Sequence, residues 1–80
     1  MRLDKWLKLS RLIKRRTVAN EACDKERVSV NGRTVKASYD VKVGDRLELR
    51  FGANTVNVEV LVVADNVGKA DAAAMYREIR

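Results

Sequence analysis

The residues with the clearest chemical potential are the cations at the start of the chain. Seven of the 17 Lys and Arg residues lie between Arg2 and Arg16, and Asp4 is the one acid among them. A guanidinium group can bind a phosphate through two parallel hydrogen bonds, and an ammonium group binds it as a point charge. This stretch therefore predicts the binding of a polyanion.

Catalytic and metal chemistry have few candidate residues. Histidine, whose ordinary pKa suits proton transfer at neutral pH, is absent from the sequence. With a single cysteine, Cys23, the chain can form neither an internal disulfide nor a set of zinc ligands. The glycine spacings match neither a phosphate-binding loop nor a dinucleotide fingerprint. We therefore expect no metal, no organic cofactor and no enzymatic activity.

Length and charge narrow the class of protein further. The 80 residues are enough for one small domain, and we expect residues 1–80 to fold as a single unit. The formal charge of +6 and the pI of about 9.9 favour an acidic partner, nucleic acid before an anionic membrane surface. No apolar run exceeds five residues, so the sequence predicts neither a membrane span nor a signal peptide. The lone cysteine fits a reducing cytoplasm.

A short amphipathic helix is needed to position the first cations. At about 100° per residue, one arc of this helix is apolar and consists of Leu3, Trp6 and Leu7. A second arc is basic and consists of Arg2, Lys5 and Lys8. We expect the helix to cover residues 3–9 and to end near Ser10, because Leu9 would fall among the cations. Asp4 in its first turn either pairs with a nearby arginine or interacts with the helix dipole.

Thr17 is predicted to be the N-cap of a second helix that runs to about Lys25. The Thr17 hydroxyl can accept a hydrogen bond from the amide of Asn20 and so cap the helix. The basic run 14–16 directly precedes this start, where backbone amides are free to bind a phosphate. The inward stripe consists of Val18, Ala19, Ala22 and Cys23. On this stripe Cys23 is expected to be a small core residue and not a reactive thiol.

Alternating apolar residues predict antiparallel strands in the middle of the chain. Two short runs, 28–30 and 33–35, flank Asn31-Gly32, which is a strong hairpin signal because a type I′ turn needs positive φ twice. The run 46–51 alternates, with the inward side chains Leu47, Leu49 and Phe51. A further strand is predicted over 55–63, with one face formed by Val56, Val58, Val60 and Val62.

The end of the chain predicts a last short helix after a break at Val67-Gly68-Lys69. Asp71 can cap this helix, and one of its sides carries Met75, Tyr76 and Ile79. We expect Tyr76 to anchor the helix on the sheet and not to stack on a base. Two helices followed by antiparallel strands and this short helix predict an α+β fold.

Four motifs occur in order along the chain: Arg2-Leu3-Asp4-Lys5, Arg16-Thr17, Val28-x-Val30-Asn31-Gly32 and Val41-x-x-Gly44-Asp45. Together they resemble the S4 (alpha-L) RNA-binding domain over about residues 1–50, with residues 51–80 as an extension. The stretch 9–17 and the pair Met75-Tyr76 are similar to the heat-shock-protein-fifteen-like group of this family, and within it to members that act in bacterial ribosome-associated quality control. The resemblance implies two helices packed on a small antiparallel sheet.

The resemblance also implies which residues face RNA. The positions that match are Arg2, Asp4, Lys8, Arg11 and Arg16. The basic arc adds Lys5, and local charge adds Lys14, Arg15 and Lys36. The sequence departs from the family pattern at Glu26, where a glycine usually ends the second helix, and at Ala37 and Val43, where prolines are frequent. These departures concern local rigidity and not the fold.

The partners implied by the resemblance belong to the ribosome. They are the rRNA of a stalled large subunit, its peptidyl-tRNA, and the quality-control factor that recruits alanyl-tRNA to add C-terminal alanine tails. We expect a cytoplasmic, ribosome-associated monomer. Three alternatives stay open: a general large-subunit or tRNA-binding protein of the heat-shock type, a protein-binding assembly factor that uses the valine row 56–62, and a protein of anionic membrane surfaces.

Overall fold

Two helices pack against one face of a five-stranded antiparallel sheet in the computed structural model of the chain, which describes residues 1–65 and 68–79. The helices are α1 (Leu3–Leu9), α2 (Arg16–Asp24) and α3 (Lys69–Ala72), the last followed by a 3-10 turn at Ala73–Met75. The strands are β1 (Val28–Val30), β2 (Arg33–Thr34), β3 (Arg46–Phe51), β4 (Asn54–Val60) and β5 (Tyr76–Glu78). Their order in the sheet is β2-β1-β3-β4-β5. The predicted α+β class is confirmed.

The sheet is apolar on the face toward the helices and polar on the other. The inward side chains, each at most 3% exposed, are Val28, Val30, Leu47, Leu49, Val58 and Val60. Because side chains alternate along a strand, Arg46, Glu48 and Arg50 lie on the opposite face. Val58 and Val60 belong to the row that a protein partner was expected to use, and both are fully buried. The middle of the valine row is therefore core, and the row does not form a continuous docking surface.

Helix α1 is buried along the predicted apolar arc, whose members Leu3, Trp6 and Leu7 are each 0% exposed. The helix covers the predicted residues and ends at Ser10, whose hydroxyl donates to the carbonyl oxygen of Leu7 at 3.0 Å. Nε1 of Trp6 donates to the carbonyl oxygen of Val62 at 2.9 Å. A buried indole N–H needs such an acceptor, so this bond ties α1 to the chain that follows β4.

The start of α1 is held by a distant loop. The amide of Leu3 donates to the carbonyl oxygen of Tyr39 at 2.8 Å. The amide of Asp4 donates to the carbonyl oxygen of Ala37 at 3.2 Å. Amides in the first turn have no partner within their own helix. The loop carbonyls supply these partners and so determine where α1 begins.

Helix α2 begins two residues earlier than predicted, and the prediction that Thr17 caps it is wrong. Arg15 directly precedes the helix in an extended conformation, and no side chain caps this end. Because Arg16 is already helical, it lies one turn before Asn20 on the same face. Both side chains reach Asp4 of α1, and this shared partner sets the position of the helix start.

The inward stripe of α2 is narrower than predicted. Ala19, Ala22 and Cys23 are buried, but Val18 is 46% exposed because it lies about 100° around the helix from Ala19. Cys23 is a core residue, as expected. Burial raises the pKa of its thiol to about 11, and the nearby carboxylates of Asp4 and Asp24 act in the same direction. The thiol is therefore protonated at neutral pH.

The predicted hairpin between β1 and β2 is confirmed. Asn31 and Gly32 have φ values of 52° and 85°, as a type I′ turn requires. The carboxylate of Asp45, just before β3, accepts hydrogen bonds from Nδ2 of Asn31 at 3.2 Å and from the hydroxyl of Tyr39 at 2.9 Å. Asp45 thereby joins the hairpin to the loop that holds the start of α1.

Two apolar side chains that were predicted to face the core are exposed. Phe51 is 39% exposed because it forms the last pair of the β3–β4 hairpin, with Asn54, at the end of the sheet. Val62 is 42% exposed because β4 ends at Val60, earlier than predicted. The amide of Val62 donates to the carbonyl oxygen of Met75 at 3.1 Å, which takes the chain out of the β ladder.

The predicted C-terminal helix is too long, and its predicted cap is wrong. Helix α3 has four residues and is preceded by Gly68, while Asp71 lies within it and caps nothing. The amide of Asp71 donates to the carbonyl oxygen of Gly68 at 3.0 Å, so the helix starts before the acid. Val67, which was assigned to the break before this helix, lies outside the described residues.

A fifth strand replaces the second half of that predicted helix. Strand β5 pairs antiparallel with β4, with Val60 opposite Tyr76 and Glu59 opposite Arg77. The edge strand β4 has backbone N–H and C=O groups that need hydrogen-bond partners, and β5 supplies them. The local spacing of apolar residues in the C-terminal segment does not reveal this need. Tyr76 is half-buried against the core, but it belongs to this strand and not to a helix docked on the sheet.

Helix α2 ends in a Schellman motif that places Glu26 in the left-handed region, with a φ of 58°. The amide of Glu26 donates to the carbonyl oxygen of Cys23 at 3.0 Å, and the amide of Arg27 donates to that of Ala22 at 2.9 Å. This is the position where the family pattern has a glycine. A β-carbon is disfavoured in this conformation, so the residue stores local strain.

We expect Glu26→Gly to raise the free energy of unfolding by about 0.5–1 kcal/mol, because the relief of strain exceeds the entropy that glycine adds to the unfolded chain. Urea denaturation of both proteins measures the difference. Lys25→Gly is the matched control, since Lys25 is adjacent but has a φ of −86° and should lose stability on substitution. Equal changes for the two variants would contradict the assignment of strain to Glu26.

Candidate nucleic-acid interface

The buried carboxylate of Asp4 connects the two helices at their basic face. Its side chain is 3% exposed. Nε and Nη2 of Arg2 donate to its two oxygens at 3.2 and 3.3 Å. From α2, Nε of Arg16 lies 3.4 Å and Nδ2 of Asn20 lies 3.3 Å from Oδ2 of the same carboxylate. The backbone amide of Lys5 completes the set at 2.8 Å.

This network keeps Asp4 ionised. Burial raises the pKa of Asp4, but the hydrogen bonds that the carboxylate accepts outweigh burial and leave the pKa below its ordinary value of 3.8. The carboxylate is therefore charged at neutral pH and holds both guanidinium groups in place. Of the two roles considered for Asp4, pairing with arginine is the one that the structure shows. Two arginines against one carboxylate leave one net positive charge in the cluster.

An open groove surrounds this cluster, and we call it the arginine groove. It is lined by Arg2, Asp4, Arg16, Thr17 and Asn20. The side chains of Arg2 and Arg16 are 50% and 47% exposed. Each guanidinium has five N–H donors, and only part of them is directed at Asp4. The outer donors are therefore held in fixed positions toward solvent, where a phosphate could accept from them.

A second groove lies at the other end of α1, and we call it the lysine groove. It is lined by Lys8, Leu9, Arg11 and Lys14. The lining contains three cations and no acid, and none of these cations forms an ion pair in the part of the chain that the structure describes. The groove is thus a concentrated positive surface with one aliphatic side chain.

The turn between the helices places Arg11 in the lysine groove through an uncommon backbone conformation. Arg11 has a φ of 64°, in the left-handed region that residues with a β-carbon rarely adopt. Its amide donates to the carbonyl oxygen of Lys8 at 3.1 Å, and the amide of Ile13 donates to that of Leu7 at 3.2 Å. Ile13 is buried, so the core holds this turn closed and compensates for the strain.

The N-terminal end of α2 lies beside the arginine groove and is not capped by a side chain. Arg15 is exposed and directly precedes the helix, while Arg16 is its first residue. The first amides of a helix have no partner within it, and the helix dipole makes this end positive. Backbone amides and two guanidinium groups are therefore available together for an anion.

Two of the predicted site residues lie away from these grooves. Lys5 forms an ion pair with Asp65 at 2.7 Å, so its charge is partly balanced. Lys36 lines a separate groove beside Asp24 and Glu26, near the C-terminal end of α2. The structure thus brings together six of the predicted cations at the grooves and the start of α2: Arg2, Lys8, Arg11, Lys14, Arg15 and Arg16.

Thr17 and Asn20 were not among the predicted site residues. Thr17 was assigned to a cap and Asn20 to its amide partner, yet both side chains line the arginine groove. The available signal was the four-residue spacing between Arg16 and Asn20, which puts them on one face of a helix. That signal could be used only once Asp4 was known to lie opposite this face.

The described part of the molecule contains neither a cluster of metal ligands nor a helix that could span a membrane. Within residues 1–65 and 68–79, no group of three or more His, Cys, Asp or Glu residues is arranged to hold a metal ion. Over the same residues, no helix is long and apolar enough to cross a membrane.

We expect Asp4→Asn to destabilise the fold by about 1–3 kcal/mol at neutral pH, as for other hydrogen bonds to charged groups. The pKa of Asp4 is lowered in the folded state, so its contribution is complete above the unfolded pKa of about 3.8 and is lost as pH falls through the folded value. The difference in stability between wild type and variant should therefore be constant from pH 7 to about 5 and shrink below 4.

Urea denaturation of both proteins across this pH range tests the expectation. Asp40→Asn is the matched control, because the pKa of Asp40 is also lowered but its carboxylate is exposed and pairs with the N-terminal ammonium. This variant should lose little stability and keep the arginine groove intact. A pH-independent difference for Asp4→Asn would show that size, and not charge, matters at this position.

Comparison with known proteins relates the chain to one family. The S4 domain matches residues 1–47. The chain is 56% identical over 79 residues to the RQC P-site tRNA stabilizing factor of Streptococcus pneumoniae, which covers 99% of this chain and 90% of that protein. It is 57% identical over 76 residues to the Bacillus subtilis protein of the same name, and this match covers 95% of this chain and 88% of that protein. A trimeric structure of Vibrio cholerae heat shock protein 15 superposes with a TM-score of 0.90 at 32% identity, over 99% of this chain and 81% of that one.

These matches agree with the geometry described above. The matched segment contains α1, α2, the β1–β2 hairpin and the turn at Gly44-Asp45, and these elements position both grooves. The likeness to the two bacterial proteins extends over β4 and β5 to nearly the whole chain. The chain therefore belongs to the S4-domain family, within its heat-shock-protein-15-like group.

Proposed function

We propose that the protein is an RNA-binding factor of bacterial ribosome quality control that stabilises tRNA in the P site. The names of the two relatives, both above 55% identity over more than nine-tenths of this chain, support this role. Both grooves lie in the segment that matches the S4 domain. The factor would act by binding and not by catalysis.

The observation that carries the proposal is the pair of arginines that Asp4 holds at the mouth of the arginine groove. A merely solubilising charge has no need for a buried partner. Fixed guanidinium groups beside uncapped helix amides suit a phosphate in a defined position, as folded RNA presents it. The lysine groove adds positive charge along the same pair of helices and would bind a neighbouring stretch of the RNA phosphate backbone.

The proposed partners are two RNAs and one protein factor of the large subunit. The factor would contact large-subunit rRNA and peptidyl-tRNA together and would hold the tRNA while a second factor recruits alanyl-tRNA for C-terminal alanine tailing. It would act as a monomer on the large subunit in the cytoplasm. Two separate basic grooves are consistent with two RNA contacts. The heat shock protein 15 neighbour is described as trimeric, so sedimentation of this protein alone is the test of the monomer.

We expect the affinity for a structured rRNA fragment to fall steeply with salt. The five groove cations, if each neutralises a phosphate, give a slope of log affinity against log salt of about −3 to −5. Replacing Lys8, Arg11 and Lys14 with alanine should reduce the slope by about 2–3. Fluorescence anisotropy at several salt concentrations measures both slopes.

The control variant for this experiment also removes three positive charges, but from positions outside the two grooves. Lys25, Arg46 and Arg77 lie at the far end of α2 or on the face of the sheet opposite the helices. Their triple alanine variant should keep the wild-type slope within about one unit, because distant charges are screened. Equal reductions in the two variants would mean that net charge alone drives binding.

We expect Arg16→Ala to weaken binding to the large subunit by about 1–3 kcal/mol, the range for hydrogen bonds to charged groups. Arg46→Ala removes one positive charge from an exposed position on the opposite face and should have little effect. Co-sedimentation with purified large subunits that carry peptidyl-tRNA measures both.

Each variant is first tested for stability by thermal melting, so that a loss of binding is not a loss of folding. A preference for subunits that carry peptidyl-tRNA over empty subunits would separate the quality-control role from general large-subunit binding of the heat-shock type. Equal losses for Arg16→Ala and Arg46→Ala would contradict the proposed site.

A further inference from the structure

The arginine groove contains a hydrogen-bond acceptor that a phosphate cannot use. Nδ2 of Asn20 donates to Oδ2 of Asp4 at 3.3 Å. An amide oxygen facing the carboxylate would be repelled, so this bond sets the orientation of the amide and turns Oδ1 away from Asp4. Within residues 1–65 and 68–79, no protein donor is hydrogen-bonded to Oδ1.

The surroundings of this oxygen restrict what could bind it. Asn20 is half-buried and lines the groove together with Arg2, Arg16 and Thr17. Phosphate oxygens only accept hydrogen bonds, so they would bind the guanidinium groups but not the amide oxygen. A ligand that satisfies the whole groove needs a donor close to a phosphate. In a nucleic-acid backbone, the ribose 2′-hydroxyl meets this requirement, and DNA lacks it.

We propose that Oδ1 of Asn20 accepts a hydrogen bond from a ribose 2′-hydroxyl while Arg2 and Arg16 bind an adjacent phosphate, so that the arginine groove distinguishes RNA from DNA. This inference deepens the proposed function and rests on it. It separates two tasks within one groove, because the guanidinium groups provide affinity for any phosphate and the neutral amide provides selectivity for ribose.

The lysine groove does not offer the same selectivity. Its lining of three cations and one leucine contains no side-chain acceptor. Ammonium and guanidinium groups attract the phosphates of RNA and DNA alike. The preference for ribose is therefore assigned to the arginine groove alone, and substitutions in the lysine groove should weaken binding to both nucleic acids by the same factor.

The test compares one RNA hairpin with the same hairpin carrying 2′-fluoro groups, which keep the A-form shape but cannot donate a hydrogen bond. Wild type should bind the RNA about 3–10-fold more tightly, the ratio expected for one neutral hydrogen bond. Asn20→Ala should bind the two hairpins equally. The variant also loses a hydrogen bond to Asp4, but a loosened arginine pair weakens both complexes alike and leaves the ratio unchanged.

Asn57→Ala is the matched control, because Asn57 is an exposed asparagine on the face of the sheet opposite the helices. It should keep the wild-type ratio. If wild type does not prefer RNA over the 2′-fluoro hairpin, or if Asn20→Ala keeps the preference, the inference is wrong while the proposed function stands. If wild type binds neither hairpin and does not sediment with large subunits, the proposed function is wrong and the inference falls with it.

Discussion

One buried negative charge organises the basic surface of this molecule. A carboxylate removed from water is costly unless it is paired and hydrogen-bonded. Asp4 meets this requirement with Arg2 beside it and with Arg16 and Asn20 from α2. The helices must therefore pack in one register to satisfy the acid, and that register leaves the outer half of each guanidinium exposed. Fold stability and the geometry of the candidate anion site thus depend on the same group.

The parts of the fold that could be predicted have their causes within a few residues. The arc of Leu3, Trp6 and Leu7 determines the buried face of α1, and Asn31-Gly32 determines the hairpin. Predictions failed where a residue or strand far away in the sequence determines the local structure. Strand β5 forms because the edge of β4 is open, and α2 starts at Arg16 because Asp4 lies across from it. Neither partner is visible in a local pattern.

The same distinction applies to the candidate site. A family motif identified Arg2, Asp4 and Arg16, and the structure brings them together. Charge alone suggested Lys36, which instead lies beside acids at the far end of α2. Asn20 is neutral and could not be found from charge, because the role proposed for it follows from an amide orientation that depends on Asp4. Local sequence therefore predicts where charge accumulates, and tertiary contacts decide which charges are held in place.

The contacts that hold α1 have a consequence for how the molecule acquires its activity. The amide of Leu3 bonds to Tyr39, and the indole of Trp6 bonds to a carbonyl 56 positions further along the chain. Contacts of such separation must overcome the entropy of closing a long loop. A growing polypeptide therefore exposes its cations on a flexible segment first and gains the rigid groove only when most of the domain has emerged. The fixed pair of guanidinium groups thus depends on parts of the chain far from the two helices that carry it.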